Sequence, residues 1–108
     1  MNIPRQNRGG DCFEAAAKYV MDEDSDAILV HGEVTGQGPI AGLKFGHAWA
    51  EKNGMVIDKS NGKDLELPEQ LYYALGQVSK TFKYTAKEMF KKIAKFKTWG
   101  PWDLRTKY

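Results

Sequence analysis

The chain has 108 residues, 42% of them hydrophobic and 28% charged, with a net charge of +2. That size fits one domain over residues 1–108 with one modest core, and the composition excludes a disordered chain. The single cysteine, Cys12, excludes an internal disulfide and a thiolate-rich zinc site. No apolar run approaches a membrane span and residues 1 to 8 lack the apolar core of a signal peptide, so cytoplasmic residence without membrane association is the default expectation.

Residues 1 to 10 read as an irregular leader containing Pro4 and Gly9-Gly10. Asp11 then caps a predicted helix, and Glu14 three residues later completes a capping-box pattern. Phe13, Ala16, Ala17, Val20 and Met21 follow at helical spacing, and the acidic run from Asp22 to Asp26 ends the helix in solvent. Residues 27 to 34, rich in β-branched side chains, read as a strand buried on both faces near its start. Residues 35 to 42 form a Gly/Pro loop placed to border a cleft, and residues 43 to 51 and 55 to 58 form a second and third strand.

Between those two strands Asn53-Gly54 favours a two-residue type I′ turn, because both positions need positive φ. The turn sets Lys52 opposite Met55, Glu51 opposite Val56, Ala50 opposite Ile57 and Trp49 opposite Asp58, with His47 facing Ser60 two steps on. Side chains alternate along a strand, so His47, Trp49, Asp58 and Ser60 share a face, and Asp58 lies diagonally across from His47.

Beyond the hairpin, Ser60-Asn61-Gly62 marks a turn and residues 65 to 67 a short extended piece. Pro68 suits the first turn of a helix through Leu71, Tyr72 and Leu75, which Gly76 ends. Residues 77 to 84 read as a strand with Val78, Phe82 and Tyr84 on one side. Thr85 and Glu88 make a second capping box, opening a helix with Met89, Phe90, Ile93 and Ala94 inward, before a Trp99-Gly-Pro-Trp102 tail. The predicted class is α+β: an N-terminal helix carrying Cys12 packed on a small antiparallel sheet, with covering C-terminal helices.

With Asp11 as cap, Cys12 opens the helix, where orphan N–H groups and the helix dipole favour an anionic thiolate. Cys12 as nucleophile, His47 as base and Asp58 as orienter form the arrangement of thiol acyl-transfer chemistry. Asn61 is a fallback orienter, although the hairpin register favours Asp58.

The segments Gly-Asp-Cys12-Phe-Glu-Ala-Ala, Gly-His47-Ala-Trp-Ala-Glu51 and Val-Ile-Asp58 carry a resemblance. The chain resembles the papain-like and transglutaminase-like superfamily of thiol enzymes, where a cysteine opens a helix packed on a sheet bearing the histidine and then an Asp or Asn. The His-Ala-Trp-x-Glu pattern looks most like the transglutaminase-like branch. The resemblance implies Cys12 as nucleophile, His47 as general base and acid, Asp58 as orienter, and Gln6, six residues before Cys12, as oxyanion donor. It covers about residues 6 to 60; the chain is much smaller than most members, and nothing after residue 60 matches a particular one. The implied activity is a cysteine peptidase or amidase acting on a peptide or protein substrate, with an amine acceptor giving a transglutaminase. No cofactor is implied.

Other residues have plainer readings. Trp49 walls the site in contact with substrate or closes the edge of the core, and Glu51 decorates its strand. His31, mid-strand beside Gly32, is expected to be a satisfied sheet histidine rather than a rival base. Cys12, His31, His47 and Asp58 are metal-ligand types without a compact ligand spacing, so no metal site is expected. From Lys80 onward nine Lys and Arg stand against two acidic residues, a charge of +7 that leaves −5 for residues 1 to 79. That basic third, with Phe82, Tyr84, Phe90 and Phe96, reads as a solvated face whose aromatics serve the core. A nucleic acid or other polyanion is the alternative partner, and a non-catalytic protein-binding module of the same fold is a further rival reading.

Overall fold

The computed structural model describes residues 11–106. Helix α1 spans Cys12–Lys18 and runs on as a π-helical turn over Tyr19–Glu23. Five strands follow: β1 Ile28–Thr35, β2 Lys44–Lys52, β3 Met55–Asp58, β4 Leu65–Pro68 and β5 Ser79–Tyr84. They form one antiparallel sheet in the order β4-β3-β2-β1-β5. Helix α2, Glu69–Gly76, joins β4 to β5, and α3, Ala86–Phe96, follows β5. The fold is the expected α+β arrangement of a cysteine-bearing helix, an antiparallel sheet and C-terminal helices. Among the described residues, no helix is long and apolar enough to cross a membrane.

The sheet is covered on both sides. Ala16 and Ala17 of α1, Val20 of the π-helical turn, and Met89 and Ile93 of α3 pack with Leu29, Ala48, Ala50, Ile57 and Tyr84 on one face. Val30, Val34, Trp49 and Val56 form the opposite face, under Tyr72 and Tyr73 of α2. Two-sided cover explains why the central strand β1 is buried from Leu29 to Val34 rather than alternating. The hairpin register is as expected, with Lys52 opposite Met55 and Ala50 opposite Ile57. Asn53 and Gly54 both take positive φ, 53° and 78°, as a type I′ turn requires.

Four expectations are corrected. Asp11 makes no side-chain cap on α1; its Oδ1 accepts instead from the Asn61 N–H at 2.7 Å, so the first capping box does not form. Val78 does not share a face with Phe82 and Tyr84. The β1–β5 register jumps from Gly32 opposite Thr81 to Glu33 opposite Ser79, leaving Lys80 as an extra residue at φ 51°. That β-bulge reverses the alternation, and Val78 joins Val34 beneath α2. On α3 only Met89 and Ile93 are buried; Ala94 is exposed and Phe90 is 44% exposed, because α3 offers the sheet one narrow ridge. Phe82 and Phe96 are also exposed, so the aromatics of the basic third do not all serve the core.

Candidate active site

Pairing between β2 and β3 covers only Ala50–Lys52 on the β2 side. Among the described residues that edge of β2 has no strand neighbour beyond Ala50, and β3 ends at Asp58, just before the short turn Ser60–Gly62. The start of α1 packs against this turn, fastened by the bond from the Asn61 N–H to Asp11. Helix and hairpin therefore meet here, and His47 interacts with both Cys12 and Asp58.

His47 links the other two residues. His47 Nε2 lies 3.1 Å from Asp58 Oδ2, and Cys12, a free and half-buried cysteine, lies within hydrogen-bonding reach of the same imidazole. With Nε2 committed to the carboxylate, Nδ1 is the nitrogen left for the thiol. The His47 side chain is 16% exposed, which leaves it a path to solvent, whereas Asp58 is buried.

Burial works against a charged His47, but hydrogen bonds and charge from Asp58 and Cys12 outweigh it and raise the imidazole from 6.5 to about 9. Burial likewise opposes the Asp58 charge. Hydrogen bonds from His47 and from Ser60 prevail, and hold the carboxyl well below the usual carboxylate range. The imidazolium–carboxylate pair is thus the resting form at neutral pH, with the thiol beside its cation.

Asp58 is itself held at both oxygens. The Ser60 N–H and hydroxyl donate to Oδ1 at 2.9 and 2.6 Å, and the Tyr72 hydroxyl donates to Oδ2 at 2.9 Å. The Asp-x-Ser spacing that permits the Ser60 bonds is a local signal present in the sequence. Tyr72 carries no such signal, because only the crossing of α2 over the sheet brings its phenol to Asp58.

Trp49 lies beneath the site and does not line it. Its ring is fully buried, 6.0 Å from the His47 ring and 5.1 Å from Tyr72, and its indole N–H donates to Glu51 at 2.9 Å. The substrate-contact reading for Trp49 is therefore replaced by a supporting one. Gly32 makes room for it, since a β-carbon there would come within 2.6 Å of Trp49 Cη2. Glu51 is no surface decoration either: it is buried and accepts hydrogen bonds from Trp49 and the Tyr73 hydroxyl, with Lys83 3.1 Å away.

His31 lies on the other face of the sheet, opposite Ala48, among Phe13, Tyr84 and Trp102 at ring distances of 4.7–5.1 Å. It is neither a rival base nor a satisfied histidine, because neither ring nitrogen has a hydrogen-bond partner among the described residues. Gln6 lies outside the described residues, so its oxyanion role has no geometry. Asn61 contributes its backbone N–H to Asp11 and leaves the orienting position to Asp58. Among the described residues no group of three or more His, Cys, Asp or Glu is placed to hold a metal ion. A cavity of about 400 Å³ opens at the hairpin end of β2 between Glu51, Glu69 and Lys83, and none of Cys12, His47 and Asp58 lines it.

Comparison with protein-family models, curated proteins and solved structures finds no match to this chain.

Proposed function

We propose that the protein is a thiol acyl-transfer enzyme, a small papain-like or transglutaminase-like cysteine peptidase or amidase acting on a peptide or carboxamide bond. What supports this reading is His47, which bonds Asp58 and interacts with Cys12, so that side chains from three separate elements act on one imidazole. A buried aspartate that only needed a partner would be satisfied by Ser60 and Tyr72. The additional imidazole, charged at neutral pH and flanked by a thiol, is what nucleophilic catalysis requires.

In the first half-reaction the Cys12 thiolate attacks the carbonyl carbon, forming a C–S bond and an oxyanion. First-turn backbone N–H groups of α1, which lack intrahelical acceptors, are the donors at hand for that oxyanion. The His47 imidazolium gives its proton to the leaving amine as the C–N bond breaks, leaving a thioester and a neutral imidazole. In the second half His47 takes a proton from water, whose oxygen attacks the thioester. Collapse releases the acid and restores the thiolate–imidazolium pair. An amine in place of water gives transfer rather than hydrolysis; water is always present, so hydrolysis is the reading adopted.

The test is alkylation of Cys12 by iodoacetamide near pH 6.5, followed by a cleavage screen on peptide amides. Wild type should react about tenfold or more faster than a free thiol of pKa about 8.5 allows at that pH. His47→Ala should lose that excess, and Asp58→Asn most of it. The screen should then yield an activity that Cys12→Ser abolishes. Equal alkylation of wild type and His47→Ala would sink the proposal.

A further inference from the structure

We propose that Tyr72 is a positioning residue that limits how tightly Asp58 holds the His47 proton, a role that rests on the thiol-enzyme reading above. The two oxygens of Asp58 have different partners. Oδ1 takes both Ser60 donors, at 2.9 and 2.6 Å, and two bonds from a residue two positions away fix the carboxylate plane. Oδ2 is shared by His47 Nε2 at 3.1 Å and Tyr72 Oη at 2.9 Å. Ser60 therefore sets the orientation of Asp58, and Tyr72 acts on the strength of its pull.

A hydroxyl donor stabilises a carboxylate and lowers its affinity for any further proton. On the oxygen that faces His47, that donor weakens the hold of Asp58 on the imidazolium. Weakening matters for catalysis, because an imidazole must give its proton up in one step and regain it in the next, which is most efficient when its pKa lies near the working pH. The phenol is firmly held in this position. Its ring packs 5.1 Å from the buried Trp49, and burial together with the Asp58 charge keeps it protonated far into the alkaline range.

Among the described residues few other ionisable groups bear on His47. Cys12 acts on it from α1 and Asp58 from β3, Tyr72 of α2 bonds the same Asp58 oxygen, and its β2 neighbours Phe45 and Trp49 are uncharged. Asp11 is engaged by the Asn61 N–H, and Glu51 is held beyond Trp49 by Tyr73, Trp49 and Lys83. Tyr73 is a control supplied by the fold. It sits next to Tyr72 on α2 and donates to a buried carboxylate of the same sheet face, but that carboxylate is Glu51. Removing its hydroxyl loses an equivalent helix-to-sheet bond without touching Asp58 or His47.

The experiment follows the His47 Cε1 proton by NMR in the full chain from about pH 5 to about pH 11, in wild type, Tyr72→Phe and Tyr73→Phe. The wild-type midpoint should lie near 9. Tyr72→Phe should move it up by about half a unit, and Tyr73→Phe by no more than about 0.2. A midpoint that stays or falls in Tyr72→Phe, or rises equally in both variants, overturns the proposal. If Tyr72→Phe does not fold, 3-fluorotyrosine incorporated into Tyr73→Phe makes the phenol at position 72 a stronger donor and should lower the midpoint; no movement overturns the proposal. The alkylation result stands apart. Failure there removes the enzyme reading whatever the NMR midpoint does, whereas success there with an unmoved midpoint removes only the role of Tyr72.

Discussion

The two histidines take opposite charge states because His47 has a carboxylate partner, whereas His31 is buried with no hydrogen bond among the described residues. His47, beside Asp58, is raised from 6.5 to about 9, and His31, buried among rings with both nitrogens unpartnered, is pushed down to about 3. Their contributions to stability have opposite signs in pH. The raised pKa of His47 contributes stability that is complete below about pH 6.5 and lost as pH rises through about 9. The depressed pKa of His31 contributes stability that is complete above about pH 6.5 and lost as pH falls toward 3. Thermal melts should therefore be highest near neutral pH. His31→Phe, which fits an aromatic cage and removes two unpaired buried nitrogens, should be neutral or more stable by about 1 kcal/mol at pH 7. It should also abolish the loss of stability between about pH 6.5 and 4.5, leaving the fall below that to Asp58 and the other paired carboxylates. An unchanged acid limb in the melting temperature of His31→Phe would contradict this account.

At the scale of the element, two capping-box patterns of like spelling have different fates. Thr85 accepts from the Glu88 N–H at 3.2 Å and Glu88 accepts from the Thr85 N–H at 2.9 Å, closing the box on α3. Asp11 is drawn away to Asn61 and Glu14 pairs with Lys18 at 2.7 Å. A local motif is decided by local bonds only where no distant group competes. Thr85 is solvent-exposed and meets none, whereas Asp11 lies where the turn after β3 arrives. Thr85→Ala should lower stability by about 1 kcal/mol in urea unfolding, with Cys12 alkylation unchanged. A change in alkylation would mean that α3 bears on the site. The β5 bulge gives the same lesson for a strand, since alternation read from Tyr84 back to Val78 fails at Lys80.

Across the whole molecule the candidate site lies between two cores and draws on both. The Trp49 layer under α2 supports His47 and Tyr72. The opposite layer supports Phe13, next to Cys12, whose ring packs 4.8 Å from His31. The C-terminal tail covers that second layer. Trp102 sits 4.7 Å from His31 and 5.1 Å from Tyr84, and Asp103 anchors the tail through the Tyr84 hydroxyl at 2.7 Å and Lys92 at 3.0 Å. Leu104 and Thr106 then run past Gly46, where a β-carbon would meet them at 3.4 and 3.1 Å. The tail thus backs the residues beside both Cys12 and His47. Trp102→Ala should cost about 3 kcal/mol in urea unfolding, against less than about 0.5 for the exposed Phe90→Ala. Equal effects of the two would show that the tail is not part of the core.

The sequence by itself determined the hairpin and its register, because Asn53-Gly54 and period-two alternation act over a few residues. From that register followed the diagonal of His47 and Asp58, and from length, charge and strand–helix patterning the α+β class. The capping pattern of Asp11 and Glu14 placed Cys12 at a helix start, and α1 does begin there although that cap does not form. What only the tertiary structure decided are the relations between segments far apart in the chain. The sequence does not say that α2 crosses the face opposite α1, so Tyr72 and Tyr73 were legible as helix residues and not as donors to Asp58 and Glu51. Nor does it say that Trp49 is sealed under that helix, that Asp11 answers Asn61, or that His31 is caged without a hydrogen bond. Side-chain hydrogen bonds depend on where a distant backbone arrives to within a fraction of an ångström. Periodicity and turn chemistry fix the direction of each element but not that arrival, which is set by the packing of all of them together.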